Sequence, residues 1–184
     1  MKNIFFILFL AACSSSVDKS VQLPPNIFVV NTDVHLKNVN GCWWWKQKKF
    51  NGYVLEKNNT IVLAKLPVIN GKENGVAYGW YMNGKKRYQR GYRNGNREGA
   101  HMEWYENEKI ASLYFFHDDK FEGEQRTYYQ SGHLWQSLNY IDGYEEGKQI
   151  SKNDDGRVVN NFTIKNGKLY GVVGRFDCMS VSKN

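Results

Sequence analysis

Residues 75–99, GVAYGWYMNGKKRYQRGYRNGNREG, decide the fold. The stretch begins and ends on a glycine, and glycines recur along the chain at the same interval. The spacings between successive members of this series are 23, 24, 24, 24 and 24 residues. A period held over so many copies is the signature of a repeat protein. The series, which we call the rung glycines, consists of Gly52, Gly75, Gly99, Gly123, Gly147 and Gly171.

Each repeat unit contains two strands and two turns. A strand follows the rung glycine and ends in an aromatic pair, Trp80-Tyr81, Trp104-Tyr105 or Tyr128-Tyr129. A turn such as Asn83-Gly84 comes next, because Asn, Asp and Gly adopt positive φ at low cost. A second strand follows, and an Asn-Gly or Asp-Gly step leads to the next rung glycine. Two strands of roughly six residues and two turns leave no room for a helix.

The predicted fold class is all-β, as a single elongated, twisted antiparallel β-meander of about five repeats. Such a sheet has no second layer, so stacked rings on at least one face must exclude water. Equivalent residues Tyr92, Phe116, Tyr140 and Ile164 should line up as a ladder. We expect the rung glycines to permit the close approach of a bulky ring or of neighbouring backbone.

The pattern Y-Y-x-N-G-x-L followed by Y-x-N-G-x-x-x-G resembles the MORN repeat, in the bacterial variant called YwqK-type antitoxin. The resemblance covers about residues 45 to 175. It implies a binding scaffold, since such repeats occur in membrane-associated scaffolds, in proteins named antitoxins and in lipoproteins. The chain departs from the pattern at Glu108, where glycine is usual, and at Asp118-Asp119, which replaces Asn-Gly. Lys152 and Asn153 replace the aromatic pair after Gly147, so the ladder should be broken there.

The N-terminus resembles a bacterial lipoprotein signal. An apolar run, residues 4–10, leads into Leu10-Ala11-Ala12-Cys13, which matches a lipobox. The resemblance implies cleavage before Cys13 and its lipidation, which anchors the protein in the cell envelope, with the outer membrane favoured in a diderm bacterium. An ordinary secretory signal that happens to end in cysteine is the alternative.

Five segments follow from these patterns. Residues 1–12 form the signal peptide, and 13–26 the lipidated cysteine with a flexible tether. Residues 27–51 are N-terminal capping strands, in which 27–30 is the first strand and the mostly polar 31–40 leads into the array. The array occupies 52–178 and a tail 179–184.

Composition sets limits on partners. The formal net charge of +7 favours anionic partners only weakly, and aromatic residues at 15% compensate for a modest 41% of hydrophobic residues. Nucleic acid is excluded as a partner because the leader removes the chain from the cytoplasm.

One basic strand is the local charge anomaly, with six cations and no acid over residues 85–97. Cross-strand pairing with Glu103, Glu106 or Glu98 is one explanation. A patch for anionic lipid, phosphorylated polysaccharide or an acidic protein is the other. The candidate binding residues here are Lys85, Lys86, Arg87, Tyr88, Arg90, Tyr92, Arg93 and Arg97, with Trp80 and Trp104 from the aromatic pairs.

The triplet Trp43, Trp44 and Trp45 must send rings to both faces of a strand. A hydrophobic plug at the first repeat explains it, because a terminal unit lacks a neighbour. Stacking on a sugar ring or insertion at a lipid interface are the functional alternatives.

Cys42 and Cys178 remain after lipidation and flank the array. A disulfide requires Cα atoms within about 7 Å, whereas an open meander would separate these residues by far more. Free thiols or an intermolecular bridge are therefore favoured over a bond that closes the sheet.

No catalytic, phosphate-binding or metal-binding motif is present, and the four histidines lack metal-ligand spacing. We therefore expect no enzyme, no cofactor and no metal. The predicted function is a membrane-anchored, non-enzymatic envelope scaffold that binds a protein or anionic lipid or polysaccharide. Alternatives are an antitoxin or immunity protein that pairs with a toxin by its surface or an edge strand, and carbohydrate binding through exposed aromatics.

Overall fold

The computed structural model describes residues 22–173. Over this range the chain is all-β, and no helix in it is long and apolar enough to cross a membrane. The N-terminal strands are β1 (Phe28–Val30), β2 (Leu36–Val39), β3 (Cys42–Trp45), β4 (Lys48–Lys49), β5 (Gly52–Asn58) and β6 (Ile61–Ile69). The array continues with β7 (Lys72–Glu73), β8 (Gly75–Trp80), β9 (Lys86–Arg93), β10 (Asn96–Arg97), β11 (Gly99–Trp104), β12 (Ile110–His117), β13 (Lys120–Phe121), β14 (Gly123–Tyr128), β15 (Leu134–Ile141), β16 (Tyr144–Lys152), β17 (Val158–Lys165) and β18 (Lys168–Val173).

The main sheet confirms the predicted meander. From β5 onward the long strands pair antiparallel with their neighbours, in the order β5-β6-β8-β9-β11-β12-β14-β15-β16-β17-β18. The short strands β7, β10 and β13 pair with the ends of β6, β9 and β12, so each of these long strands has two successive partners on one side. β1 is the exception to the antiparallel rule, because it lies parallel to β5 at the end of the sheet.

The strand register separates two faces. Tyr88 pairs with Gly79, and Tyr92 pairs with Gly75, so the even positions of β9 share one face as predicted. We call this the ring face, and the other side the opposite face. The ring face carries Tyr88, Arg90, Tyr92, His101, Glu103, Tyr114, Phe116, Gln125, Thr127, Gln136, Leu138 and Tyr140, whereas Gln89, Leu113, Phe115, Arg126 and Ser137 lie on the opposite face.

The turns adopt the predicted positive φ, even where glycine is missing. Glu108 has φ of 67°, and Asp118 and Asp119 have φ of 45° and 66°. A left-handed conformation costs a residue with a side chain about 1–2 kcal/mol. Glu108, Asp118 and Asp119 therefore keep the backbone conformation of the repeat at the cost of conformational strain.

The expectation that the rung glycines admit a ring or a neighbouring strand is wrong for part of the series. A Cβ atom at Gly99 or Gly123 would meet nothing within 4 Å. Their φ values of 72° and 74° are the reason for glycine instead. At Gly52 crowding adds to this, because a Cβ would lie 2.8 Å from the Phe50 ring.

A second, three-stranded sheet of order β2-β3-β4 covers the ring face at the N-terminal end. The absence of any second layer was therefore a wrong expectation here, and residues 31–40 contain β2 instead of a simple lead. Leu36 and Phe50 from this end pack against Val29, Val54 and Val68, and Trp43, Trp45 and Leu66 adjoin the cluster. We call the three-stranded sheet the cap.

Beyond the cap, a column of buried residues follows the rung glycines by two positions. Ala77, His101, Gln125 and Gln149 are at most 5% exposed. Each polar member bonds to the backbone of the residue ten positions earlier. Gln125 accepts from the Phe115 N–H at 2.7 Å and donates to its carbonyl at 3.2 Å, and Gln149 does the same for Asn139 at 3.1 and 2.9 Å. The His101 Nε2–H donates to the Gly91 carbonyl at 2.7 Å.

Candidate binding surface

A continuous row of rings crosses the ring face. The ring centroids are 5.6 Å apart for Tyr92 and His101, 4.6 Å for His101 and Phe116, 4.7 Å for Phe116 and Phe121, and 5.1 Å for Phe121 and Tyr140. The ladder predicted through Tyr92, Phe116 and Tyr140 is confirmed, and within residues 22–173 no aromatic contact continues it past Tyr140.

Two members of this row were missed. His101 lies two residues after Gly99, and Phe121 lies two residues before Gly123. Comparison across the repeats would not have found them, because neither column is aromatic: the equivalents of His101 are Ala77, Gln125 and Gln149, and those of Phe121 are Glu73, Arg97 and Glu145.

A neutral groove of about 190 Å³ lies on the ring face beside this row. Burial raises the pKa of the Tyr114 and Tyr140 phenols, helped by Glu103 and Glu145 respectively, so both hydroxyls remain neutral donors at physiological pH. The lining contains no charged side chain and consists of Tyr114, Phe121, Gln125, Thr127, Gln136, Leu138 and Tyr140.

Most cations of the basic strand are paired. Arg90 lies 2.5 Å from Glu103, and Arg93 lies 3.2 Å from Glu98, which confirms two of the predicted cross-strand partners. Lys85 pairs instead with Glu108 at 3.0 Å, and Arg97 with Asp119 at 3.1 Å. Burial opposes the charge of Arg90, but Glu103 outweighs it and raises the pKa of the guanidinium. The strand therefore presents much less free positive charge than its sequence suggests.

Cations of this strand also contact aromatic rings. Arg90 lies 4.4 Å from the centre of the Tyr88 ring, which itself rests on Gly79. Arg87 approaches the same ring at 5.2 Å, and Lys86 lies 4.9 Å from the Trp104 ring. Cation–π contacts of this kind stabilise by about 0.5–1 kcal/mol at exposed sites. The predicted interleaving of cations and rings is thus observed, and it holds the side chains in place.

The tryptophans have different environments. Trp43 and Trp45 pack against the cap core, the arrangement expected of a hydrophobic plug, whereas Trp44 lines a groove on the outer side of the cap. The Trp80 ring stacks with that of Tyr78 at 6.1 Å. The Trp104 carbonyl accepts a hydrogen bond from the Tyr81 hydroxyl.

Hydrogen bonds between consecutive repeats hold the array together. The hydroxyls of Tyr81, Tyr105 and Tyr129 donate to backbone carbonyls 23 residues later, at 2.6, 2.7 and 2.9 Å. Three further contacts went unpredicted although the column is visible in the repeat. Glu98, Glu122 and Glu146, each just before a rung glycine, accept the backbone N–H of Asp118, Asp142 and Asn166.

Several predicted residues cannot be placed. Cys13, the lipobox and Cys178 lie outside the described residues, and so does the proposed end of the array. Cys42 is half-buried at the start of β3. In residues 22–173 no three His, Cys, Asp or Glu side chains come close enough together to hold a metal ion.

Comparison with known proteins adds no family: no protein-family model matches the chain, and no curated protein is significantly similar to it.

Proposed function

We propose that this chain is a membrane-anchored, non-enzymatic envelope lipoprotein whose array of MORN-type repeats binds a macromolecular partner on the ring face. The observation that carries the proposal is the uninterrupted row of rings from Tyr92 to Tyr140, with open grooves beside it, on a face that the cap covers only at one end. Aromatic side chains give large contact areas at low conformational cost.

Rigidity supports a role as a scaffold. The tyrosine hydroxyls and the carboxylates before the rung glycines tie each repeat to the next along the sheet. A partner that docks across several repeats would therefore meet a surface that is already ordered, which lowers the entropic cost of binding.

The pairing of the basic strand changes where recognition should be sought. Arg90, Arg93 and Arg97 form ion pairs with carboxylates of the same chain, and these pairs largely neutralise their charge. The proposed contact surface is consequently the row of rings, and not the positive charge of residues 85–97.

The anchor rests on the lipobox resemblance of residues 10–13. Metabolic labelling with palmitate in the native bacterium should mark the wild-type protein and leave the Cys13→Ser variant unlabelled. Equal labelling of the two proteins would contradict lipidation at Cys13.

Matched glutamines on the two faces test the binding surface. Gln136 lies on the ring face within the neutral groove, and Gln89 lies on the opposite face. Co-purification from detergent-solubilised envelope should lose its partner with Gln136→Arg and retain it with Gln89→Arg. A partner that survives Gln136→Arg, or that is lost equally with both variants, would exclude the ring face as the recognition surface.

Carbohydrate is a second candidate because the groove is neutral and combines rings with hydroxyl and amide groups. Phe121 and Tyr140 offer apolar surface, while Thr127 and Gln136 offer hydrogen bonds. Calorimetric titration with chito-oligosaccharides should give heat with the wild type and none with Tyr140→Ala. Absence of heat with the wild type would remove this class of sugar.

A further inference from the structure

The outer face of the cap carries an indole between two lysines. In the register of the small sheet, Trp44 lies opposite Lys37 on β2 and opposite Lys49 on β4. Val39 shares this face, and Trp43 and Trp45 point the other way, into the core. Trp44 is thus the one member of the triplet that the hydrophobic core does not use.

A groove of about 660 Å³ surrounds this indole. Its wall includes two valines that the fold leaves in solvent, Val34 at 80% and Val39 at 52% exposed. We call this surface the basic cap face, and it consists of Val34, His35, Lys37, Val39, Trp44, Lys46, Gln47 and Lys49.

The charge of the basic cap face has one sign. Residues 34–55 contain four lysines and no Asp or Glu. Asp33 and Glu56 flank this stretch. Asp33 accepts hydrogen bonds from the His35 N–H at 2.7 Å and the Trp45 indole at 3.4 Å, and its pKa is lowered chiefly by the His35 hydrogen bond and to a smaller extent by the charge of Lys46. Unlike the basic strand of the array, these lysines form no ion pair within residues 22–173.

The tip of the cap is strained. Lys46 and Gln47, which join β3 to β4, have φ of 49° and 65°. This two-residue turn ordinarily carries Asn-Gly, and each residue with a side chain pays about 1–2 kcal/mol for the left-handed conformation. Lys46 lies at the edge of the groove, with its ammonium 4.5 Å from the centre of the Trp45 ring.

The chain also enters the fold beside this surface. Ile27, just before β1, lines a groove of about 500 Å³ together with Lys46, Lys48 and Lys49. Residue 22 is nine positions from Cys13. Nine residues span at most about 30 Å, so an acyl anchor at Cys13 would keep the cap close to a bilayer. This step rests on the proposed anchoring.

We propose that the basic cap face docks on an anionic phospholipid bilayer. Trp44 and the exposed valines would enter the interfacial region, where indole rings are at home, while Lys37, Lys46 and Lys49 would contact lipid phosphates. An acyl anchor and a basic surface together give the two signals that stable membrane attachment requires. Docking by the cap would leave the ring face of β9 to β15 free for its partner.

Vesicle flotation tests the docking separately from the anchor. The chain from residue 13 with Cys13→Ser carries no acyl group, and it should float with phosphatidylglycerol vesicles but not with pure phosphatidylcholine. Removal of two lysines by Lys46→Gln and Lys49→Gln should weaken partition by roughly 30-fold, from about fivefold per lysine. This loss should shrink in 1 M salt, where the screening length falls to about 3 Å. Trp44→Ala should give a smaller loss that persists in salt.

The matched control places the same change elsewhere. Lys148→Gln with Lys168→Gln removes the same charge from two exposed lysines of the array and should leave partition unchanged. Thermal unfolding of both double variants verifies that they are folded.

Two results would overturn the proposal. One is failure of the Cys13→Ser chain to float with anionic vesicles, which would leave palmitate labelling, and hence the proposed anchor, unaffected. The other is tight binding to soluble polyglutamate with no effect of Trp44→Ala on any binding, which would identify an acidic protein segment as the occupant.

Discussion

The two ends of this sheet exclude water by different chemistry. At the N-terminal end the cap lies over the ring face, and Leu36, Phe50 and Val68 form an ordinary apolar core. In the array there is no second layer over the described strands, and the polar residues His101, Ser112, Gln125 and Gln149 are among the most deeply buried. A single-layer sheet can therefore bury side chains without a hydrophobic core when most of their polar atoms are paired, and the buried Ser112 hydroxyl, which has no hydrogen-bond partner, is an exception.

The polar column follows from a gap in strand pairing. β6, β9 and β12 each change partner, on one side, between a short and a long strand. The residue at the change is skipped by the strand register on that side, although its carbonyl accepts the backbone N–H of the residue before the rung glycine. In β12, Leu113 pairs with β14 and Phe116 pairs with β13, so Phe115 lies at the change of partner. The Gln125 side chain completes the backbone hydrogen bonds of Phe115. At the capped end, Pro67 is the equivalent of Phe115, and Ala77 is the equivalent of Gln125. Pro67 has no N–H to be paired. Proline thus removes the need for a polar side chain.

The largest expected effect is on the apolar core of the cap. Phe50 is 2% exposed, so Phe50→Ala should lower the free energy of unfolding by about 3–5 kcal/mol through lost burial and a cavity. Phe162→Ala in the array removes the same atoms from a half-buried site and should cost less than half as much. Urea denaturation of both variants measures the difference, and equal losses would contradict the distinction between the two ends.

The polar column should be nearly as sensitive to loss of its hydrogen bonds. Gln149 is fully buried, and Gln149→Leu keeps its approximate size but removes its hydrogen bonds to the Asn139 N–H and carbonyl. Unsatisfied buried groups cost about 1–3 kcal/mol each, and we expect a total loss of about 2–3 kcal/mol. Gln149→His, which places there the residue that the column has at His101, should lose less. A leucine variant as stable as the wild type would show that the array relies on apolar burial after all.

A double-mutant cycle exchanges the chemistry of the two ends. Pro67→Val introduces an N–H at the gap and should cost about 1–3 kcal/mol if it is left unpaired. Ala77→Gln should restore part of that loss, since Ala77 borders an open groove of about 230 Å³. Chemical denaturation of the four proteins gives the coupling free energy, expected at about 1 kcal/mol in the favourable direction. If the effects of the two substitutions on the free energy of unfolding are additive, Gln at position 77 does not pair with the new N–H at position 67.

The histidine in the column should make the array sensitive to mild acid. Burial, with Arg90 and Arg97 nearby, lowers the pKa of His101 below its ordinary 6.5. Between the two pKa values the unfolded chain binds a proton at this histidine and the folded chain does not. The contribution of the neutral imidazole to the free energy of unfolding is therefore fully present above pH 6.5, and it is lost as the pH falls from 6.5 through the lowered pKa of the folded state.

His101→Gln, the residue found at Gln125 and Gln149, should remove this dependence and remain within about 1 kcal/mol of the wild type at neutral pH. The exposed histidines and the carboxylates are common to both proteins, so the difference between their pH profiles reports His101 alone. Parallel profiles would contradict a neutral, buried imidazole.

The smallest effect concerns stored turn strain. Glu108→Gly should stabilise the protein by up to about 1 kcal/mol, because glycine relieves a φ of 67° while the exposed pair with Lys85 contributes little. Asp119→Gly is the contrasting case, since the Asp119 carboxylate accepts the Arg97 backbone N–H at 2.8 Å. Thermal melts should therefore move in opposite directions for the two glycine variants.

The repeat period predicted much of this fold because local turn chemistry recurs in every unit. The strand–turn–strand order, the shared face of Tyr88 and Tyr92, and the ladder from Tyr92 to Tyr140 all depend on spacing alone. The cap was not predictable in the same way, since β2 is short, mostly polar and non-repetitive, and its placement depends on tertiary burial of Leu36. Pairing of the basic strand depended on which carboxylates face it across the sheet, so Glu108 went unrecognised as the partner of Lys85.

The same comparison carries the functional proposal, in which the capped end faces the membrane and the open array faces a partner. Photo-crosslinking in the native envelope, with benzoylphenylalanine in place of Trp44 or of Gln136, tests both assignments at once. We expect a phospholipid adduct from position 44 and a protein or glycan adduct from position 136. A lipid adduct from position 136 with none from position 44 would contradict it.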